Sequence, residues 1–355
     1  MSTTSGKTSS KTTAGNFFED FSVGQVIRHA VPRTVGEGER ALYTGLYGMR
    51  CAVQSSDAFA RAIGYQEFPL DDMLVFHIVF GKTVPDISLN AVANLGYADC
   101  RFLKPVFAGD TLHSQSEVIG VKQNSNGKTG VVYVRSTGMN QHGEPVLEFV
   151  RWVMVRKRDA ASPAPDPVVP ELPDHVSPAH LGAACPVIDP AKWDTGLSDS
   201  AYLWDDYQAG ERIDHVDGMT VEEAEHMLAT RLYQNTAKVH FNQFTEGQGR
   251  FGRRLIYGGH VISLARALSF NGLGNAFHIA AINGGAHVAP LFAGETVFSW
   301  SEVRDTARLE GRDDVGALRL RTVATKDAPC GSFPETGDDG VILDLDYWAL
   351  MPVKP

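Results

Sequence analysis

Hydrophobic and polar positions alternate with a period of two in six stretches, three in each half of the chain. In the first half these are "TLHSQSEVIGV" (Thr111–Val121), "GVVYVRSTGMN" (Gly130–Asn140) and "PVLEFVRWVMV" (Pro145–Val155). In the second they are "TVFSWSEVRD" (Thr296–Asp305), "GALRLRTVAT" (Gly316–Thr325) and "VILDLDYWALM" (Val341–Met351). Such alternation, rich in β-branched and aromatic residues, predicts β-strands. "HVISLARALSF" (His260–Phe270) instead has the length and spacing of a helix, with two glycines directly before it. A long apolar helix beside a run of antiparallel strands, twice over, predicts an α+β architecture in which each helix is wrapped by a curved sheet.

The two halves repeat each other in their letters as well. "FEDFSVGQ" (Phe18–Gln25) returns as "WDDYQAGE" (Trp204–Glu211), and Leu46-Tyr47 returns as Leu232-Tyr233. "KPVFAGDTL" (Lys104–Leu112) returns as "APLFAGETV" (Ala289–Val297), and Trp152 is matched by Trp348. Between the copies, Arg158–Ser200 holds eight of the chain's 18 prolines. Proline fixes φ and removes a donor, so this segment reads as a linker rather than helix or central strand. The expected organisation is a disordered tail over 1–15, a first module over 16–157, the linker over 158–200 and a second module over 201–355.

Composition narrows the function. The chain has 355 residues, 43% hydrophobic and 21% charged, which suits a globular protein with a sizeable core. A net charge of -10 argues against nucleic acid as a partner. The most apolar run, Met73–Gly81, is far too short to span a bilayer, so no membrane partner is expected. The polar N-terminus lacks an apolar signal region, and the four cysteines are scattered without a CxxC pair. Together these point to a reducing cytoplasm and to neither disulfides nor a metal cluster. "GQGRFG" (Gly247–Gly252) imitates a dinucleotide fingerprint, but no acid follows until Glu295, so no ribose partner exists and no cofactor is expected. That acid-free window carries Arg250, Arg253, Arg254 and Arg266, which suits a phosphate or carboxylate ligand.

"YQNTAKVHFNQ" (Tyr233–Gln243) and "YGGHVISLARALSFNGL" (Tyr257–Leu273), with the repeated "VFAG" and "LFAG" turns, resemble the MaoC-like (R)-specific enoyl-CoA hydratases. Nearly the whole chain is covered, and its duplicated form is similar to the family's double hot-dog arrangement. The family motif, roughly G-D-x-N-P-x-H, falls on Gln234–His240; the family aspartate is Asn235 here, and its asparagine and proline are Ala237 and Lys238. In the first module the same frame is Gly48–Gln54, without acid or histidine. That half is expected to be a degenerate copy, Gln54 included, holding the acyl or CoA part of a ligand.

The resemblance implies a hydro-lyase acting on a CoA thioester. His240 is the group suited to proton transfer near neutrality. Gly259, opening the long helix, offers a backbone N–H to the thioester oxygen, with Tyr257 and Gly258 beside it. Asn235 can orient water but cannot take a proton. The acid-base work therefore falls to His240 alone or to a carboxylate outside the motif, Glu246 or Asp57. If the substrate carries its own carboxylate, an asparagine avoids a second buried anion. A hot-dog thioesterase and a non-catalytic acyl-CoA binder remain alternatives, and the oligomeric state stays open, a homo-oligomer included.

Overall fold

The computed structural model describes residues 11–355. Its strands are β1 (Val26–Arg28), β2 (Arg33–Thr34), β3 (Ala91–Phe102), β4 (Thr111–Gln123), β5 (Thr129–Met139), β6 (Pro145–Arg156), β7 (Arg212–Thr220), β8 (His278–His287), β9 (Thr296–Arg308), β10 (Val315–Lys326) and β11 (Val341–Pro352). The helices are α1 (Glu37–Tyr47), α2 (Ala52–Ser55), α3 (Asp57–Ile63), α4 (Asp72–Thr83), α5 (Glu223–Leu232), α6 (Lys238–Phe241), α7 (Gln243–Glu246), α8 (Gly258–Leu268) and α9 (Phe270–Leu273). The strands form one antiparallel sheet in the order β1-β4-β5-β6-β3-β8-β11-β10-β9-β7, with β2 on β4.

That order reads alike from either end, and the two halves meet where β3 pairs with β8, Tyr97 opposite Gly285 and Cys100 opposite Ile282. All six alternating stretches lie in strands, save Asn140 just past the end of β5. β3 and β8 were not among them, and through their pairing the two wraps join into one continuous sheet.

α4 packs on β4, β5, β6 and β8, and α8 on β7, β9, β10 and β11. α4 is buried from Met73 to Thr83, as expected of a helix apolar on every face. Asp71 caps it, accepting from the Met73 N–H at 2.8 Å. Gly81 in α4 touches the loop after α5: a Cβ there would lie 1.8 Å from the Tyr233 carbonyl. Tyr47 and Tyr233, the repeat-equivalent tyrosines, share a 2.7 Å hydrogen bond and join α1 to the end of α5.

The proline-rich segment has little regular structure yet is built into the core. Val176, Leu181, Cys185, Ile188 and Trp193 pack with Val53, Phe59, Ile63 and Phe277. Trp348 donates to the Val176 carbonyl at 3.0 Å, and Trp193 to Asn275 at 2.8 Å. Residues 1–10 of the expected tail lie outside the described residues; Ala14 accepts a hydrogen bond from Asn90 at 2.8 Å. The four cysteines are free and buried. Among the described residues no helix is long and apolar enough to cross a membrane.

Candidate active site

The motif segment begins where α5 stops. Gln234 takes a left-handed conformation, φ 55°, which ends the helix and turns the chain back. Asn235 is buried. Its backbone N–H donates to Thr230 O at 2.9 Å and its side-chain oxygen accepts from the Ala237 N–H at 3.2 Å. The amide thus staples a tight turn that delivers α6. His240 stands on that short helix rather than in a loop. Its Nδ1 lies 2.8 Å from the Leu255 carbonyl. A carbonyl only accepts, so Nδ1 carries the hydrogen and Nε2 presents a lone pair. His240 is only partly buried, yet desolvation among the neighbouring rings outweighs the Leu255 bond and pulls its pKa down to about 4, leaving a neutral imidazole.

Beside it opens α8. Tyr257, at its N-cap, donates its backbone N–H to His226 Nε2 at 2.9 Å and makes no side-chain cap. The N–H groups of Gly258 and Gly259 come next, in the first turn, where a helix has no internal acceptors for them. No acidic residue occupies that turn, so the positive end of the helix is uncompensated. Both glycines are required by their surroundings. A Cβ on residue 258 would lie 2.4 Å from His287 Nε2, and one on residue 259 would lie 2.4 Å from the Tyr257 ring and 2.5 Å from that of His77.

The ring of His240 is 5.5 Å from that of Tyr257 and 6.2 Å from His226. His260 bonds Tyr47 through Nδ1 at 2.8 Å, and His77 bonds Ser263 at 2.9 Å. Burial depresses His77, His260 and His287 as well, to about 3, 3 and 4. No carboxylate is hydrogen-bonded to any of these histidines among the described residues.

His240, Asn235, Tyr257, Gly258 and Gly259 are therefore brought together. Several other expectations change. Asp57 is half-buried and committed to Arg61 and the Phe68 N–H. Glu246, at the end of α7, makes no hydrogen bond to His240. Gln54 donates to the Phe277 carbonyl at 2.8 Å, at the start of β8, whereas His287 ends that strand. A ten-residue strand spans roughly 30 Å, so Gln54 sits away from His240. The arginine window is not wholly uncompensated either. Arg254 pairs with Glu223, Arg253 stacks on Phe292 with its guanidinium 3.9 Å from the ring centre, and Arg250 lies over Phe251. Arg266 reaches back to Ser269 and the Ala276 carbonyl at the far end of α8. The motif frame did not reveal His77, His226 or His287, which come from other elements, and although His260 lies in the quoted α8 stretch no role was read for it; of their partners, only the repeated Tyr47 and Tyr233 left a trace in the sequence.

Comparison with known proteins shows the family and the fold. The family model for mesaconyl-CoA hydratase matches residues 4–332. A curated relative from Chloroflexus aurantiacus, β-methylmalyl-CoA dehydratase, is 61% identical over 349 residues, covering 97% of this chain and 99% of its own. A crystal structure of a MaoC domain protein dehydratase from the same organism superposes with a TM-score of 0.95 at 60% identity, covering 98% of this chain and all of the other. A Mycobacterium tuberculosis protein described as a double hot-dog fold gives 0.73 at 27% identity, covering 96% and 99%. The fold is the α+β double hot-dog.

Proposed function

The chain belongs to the mesaconyl-CoA hydratase family, and from that premise we propose that it adds water reversibly across the C=C of mesaconyl-CoA to give β-methylmalyl-CoA. His240 is the general base. As the water oxygen bonds to the β-carbon, its proton passes to His240 Nε2 and the π electrons move toward the thioester oxygen. The Gly259 N–H, with that of Gly258, holds the negative charge gathering on that oxygen. His240, whose imidazolium is made acidic by burial, returns the proton to the α-carbon and the bond count closes. Asn235 fixes the turn that sets His240 and adds no charge beside the substrate's own carboxylate. Residues 201–355 form the working module and 16–157 its degenerate partner, with Arg250 and Arg253 turned toward the CoA phosphates.

The observation that supports this reading best is the tautomer of His240. With Nδ1 bound to Leu255 O, its free lone pair stands beside a helix start bearing two uncommitted N–H groups. A thioesterase would leave a free thiol, and a binding protein would leave both bonds intact. Loss of the enoyl-thioester absorbance on adding enzyme to mesaconyl-CoA, with no thiol released in a parallel assay, is the expected result. Thiol release without hydration, or no change at all, would replace the hydratase reading.

A further inference from the structure

We propose that His287 Nε2 receives the free carboxylate of the dicarboxylic substrate and thereby selects it over enoyl-CoA esters that lack one. The inference rests on the hydratase reading above and assigns a specificity residue within the same site.

His287 ends β8 and lays its ring against the first turn of α8, with Nε2 leading. That nitrogen is the ring atom nearest the position a Cβ of residue 258 would take. Nε2 is shielded from solvent and has no hydrogen-bond partner. A buried polar atom left unpaired costs stability and is uncommon in folded proteins, so its place beside the reacting centre needs a reason. The other imidazoles of the site already have partners: His77 has Ser263, His226 the Tyr257 N–H, His260 Tyr47, and His240 Leu255.

A carboxylate entering this interior must find donors. Among the neighbouring cations, Arg254 is held by Glu223, and Arg33 by Glu39 and the Leu232 carbonyl. Lys82 is held by the Val31 carbonyl, and Arg151 donates to Thr83 and Ser88 while lying over Phe80. The thioester oxygen already has the two glycine N–H groups. Arg254 Nε and Arg151 Nε also lack partners, but each belongs to a guanidinium already engaged through its other nitrogens, whereas His287 Nε2 faces the start of α8, and as a neutral Nε2–H tautomer it donates to a carboxylate without proton transfer. The substrate's free carboxylate is bonded to the β-carbon that water attacks, so it must lie close to the base. Both imidazoles border the start of α8, His240 with its ring 5.5 Å from that of Tyr257 and His287 with Nε2 2.4 Å from the Cβ position of residue 258.

The test compares kcat/KM on mesaconyl-CoA and crotonyl-CoA, followed by loss of enoyl absorbance, for wild type, His287→Leu and His287→Gln. One hydrogen bond to a charged group corresponds to roughly a 10–100-fold effect. The mesaconyl-to-crotonyl ratio should therefore fall by about that factor in His287→Leu, chiefly through KM, and recover in part in His287→Gln, which keeps an N–H donor. Equal losses on both esters, or an unmoved ratio, would overturn the assignment. Calorimetric binding of the unreactive esters succinyl-CoA and butyryl-CoA supplies a second measurement that does not depend on turnover. Wild type should prefer the dicarboxylic ester and His287→Gln should lose part of that preference; a wild type without preference would also overturn it. If wild type does not hydrate mesaconyl-CoA, the hydratase reading fails and the inference with it, whereas a ratio that stays fixed in an active enzyme sinks the inference alone.

Discussion

If His240 is the base, the acid limb of catalysis should fall far below the range usual for histidine. Its pKa is pushed from 6.5 to about 4 by burial, and only the neutral form can take a proton from water. At pH 5.5 a histidine titrating near 4 would still be about 97% neutral, whereas one titrating at 6.5 would be about 9% neutral. The two cases differ roughly tenfold in kcat/KM at a single pH. The assay is the pH profile of kcat/KM from roughly pH 4.5 to 8. It should be run also on the mesaconyl thioester of pantetheine, which lacks the CoA phosphate that titrates near pH 6. Far-ultraviolet circular dichroism at each pH supplies the necessary control, because the same burial endangers the fold. His77, His226 and His260 are held neutral with depressed pKa values. Their contribution to stability is therefore intact above the unfolded value of 6.5 and is lost as pH falls below it. Kinetic points count only where the dichroism is unchanged. A half-maximal rate between roughly pH 6 and 7 in folded enzyme, with the truncated substrate, would refute His240 as a neutral base with a depressed pKa.

Further tests bear on the parts around it. His240→Ala should cut kcat by roughly 10²–10⁴-fold with the fold intact, while Gln54→Ala, at the far end of β8, should cost far less; near-native turnover in His240→Ala would remove the assignment. The double change Arg250→Gln with Arg253→Gln should raise KM for the CoA ester and spare kcat, whereas Arg254→Gln, already paired with Glu223, should do little to KM. In Gly259→Ala the new Cβ would meet the Tyr257 and His77 rings at about 2.4–2.5 Å, an overpacking of about 1–3 kcal/mol. Its kcat should fall at least roughly tenfold as the N–H is displaced, and an unaltered kcat would show that this N–H does not hold the oxyanion.

What was legible in the sequence, and what was not, follows from how each element is buried. The strands β4, β5, β6, β9, β10 and β11 announced themselves because inward and outward positions alternate, as in β4, where Leu112, Ser114 and Ser116 are buried between more exposed neighbours. β8 is buried at every position from His278 to Asn283 and is made largely of alanine, glycine and isoleucine, so no alternation marks it. β3 is interrupted by three shifts of register, and Asp99 adopts φ 47°, which scrambles its phase. These two central strands are the ones that fuse the halves into a single sheet. The prolines of 158–200 left room only for short 3-10 turns at Pro178–His180 and Pro190–Lys192, yet they said nothing of Trp193 and Ile188 packing against both modules.

The site divides in the same way. His240, Asn235, Gly258 and Gly259 lie on two short segments whose spacing carries a motif, and they were legible for that reason. His226 comes from the middle of α5, His77 from α4 in the other half, and His287 from the end of the unmarked β8. Only packing brings them to the α8 N-terminus, so no local pattern could name them. The missing motif aspartate has a structural counterpart here. Asn235 keeps the acceptor that makes the turn, its side-chain oxygen on the Ala237 N–H, which an aspartate would also supply. What it discards is the charge. No carboxylate is hydrogen-bonded to His77, His226, His240 or His260 among the described residues; Asp71, raised to about 6 by burial, stands behind Tyr43 and Tyr47, so the groups facing the α8 N-terminus are imidazoles, tyrosines and free N–H groups. An environment short of anions and rich in donors is poorly matched to a catalytic acid pair, and well matched to a substrate that brings a carboxylate of its own.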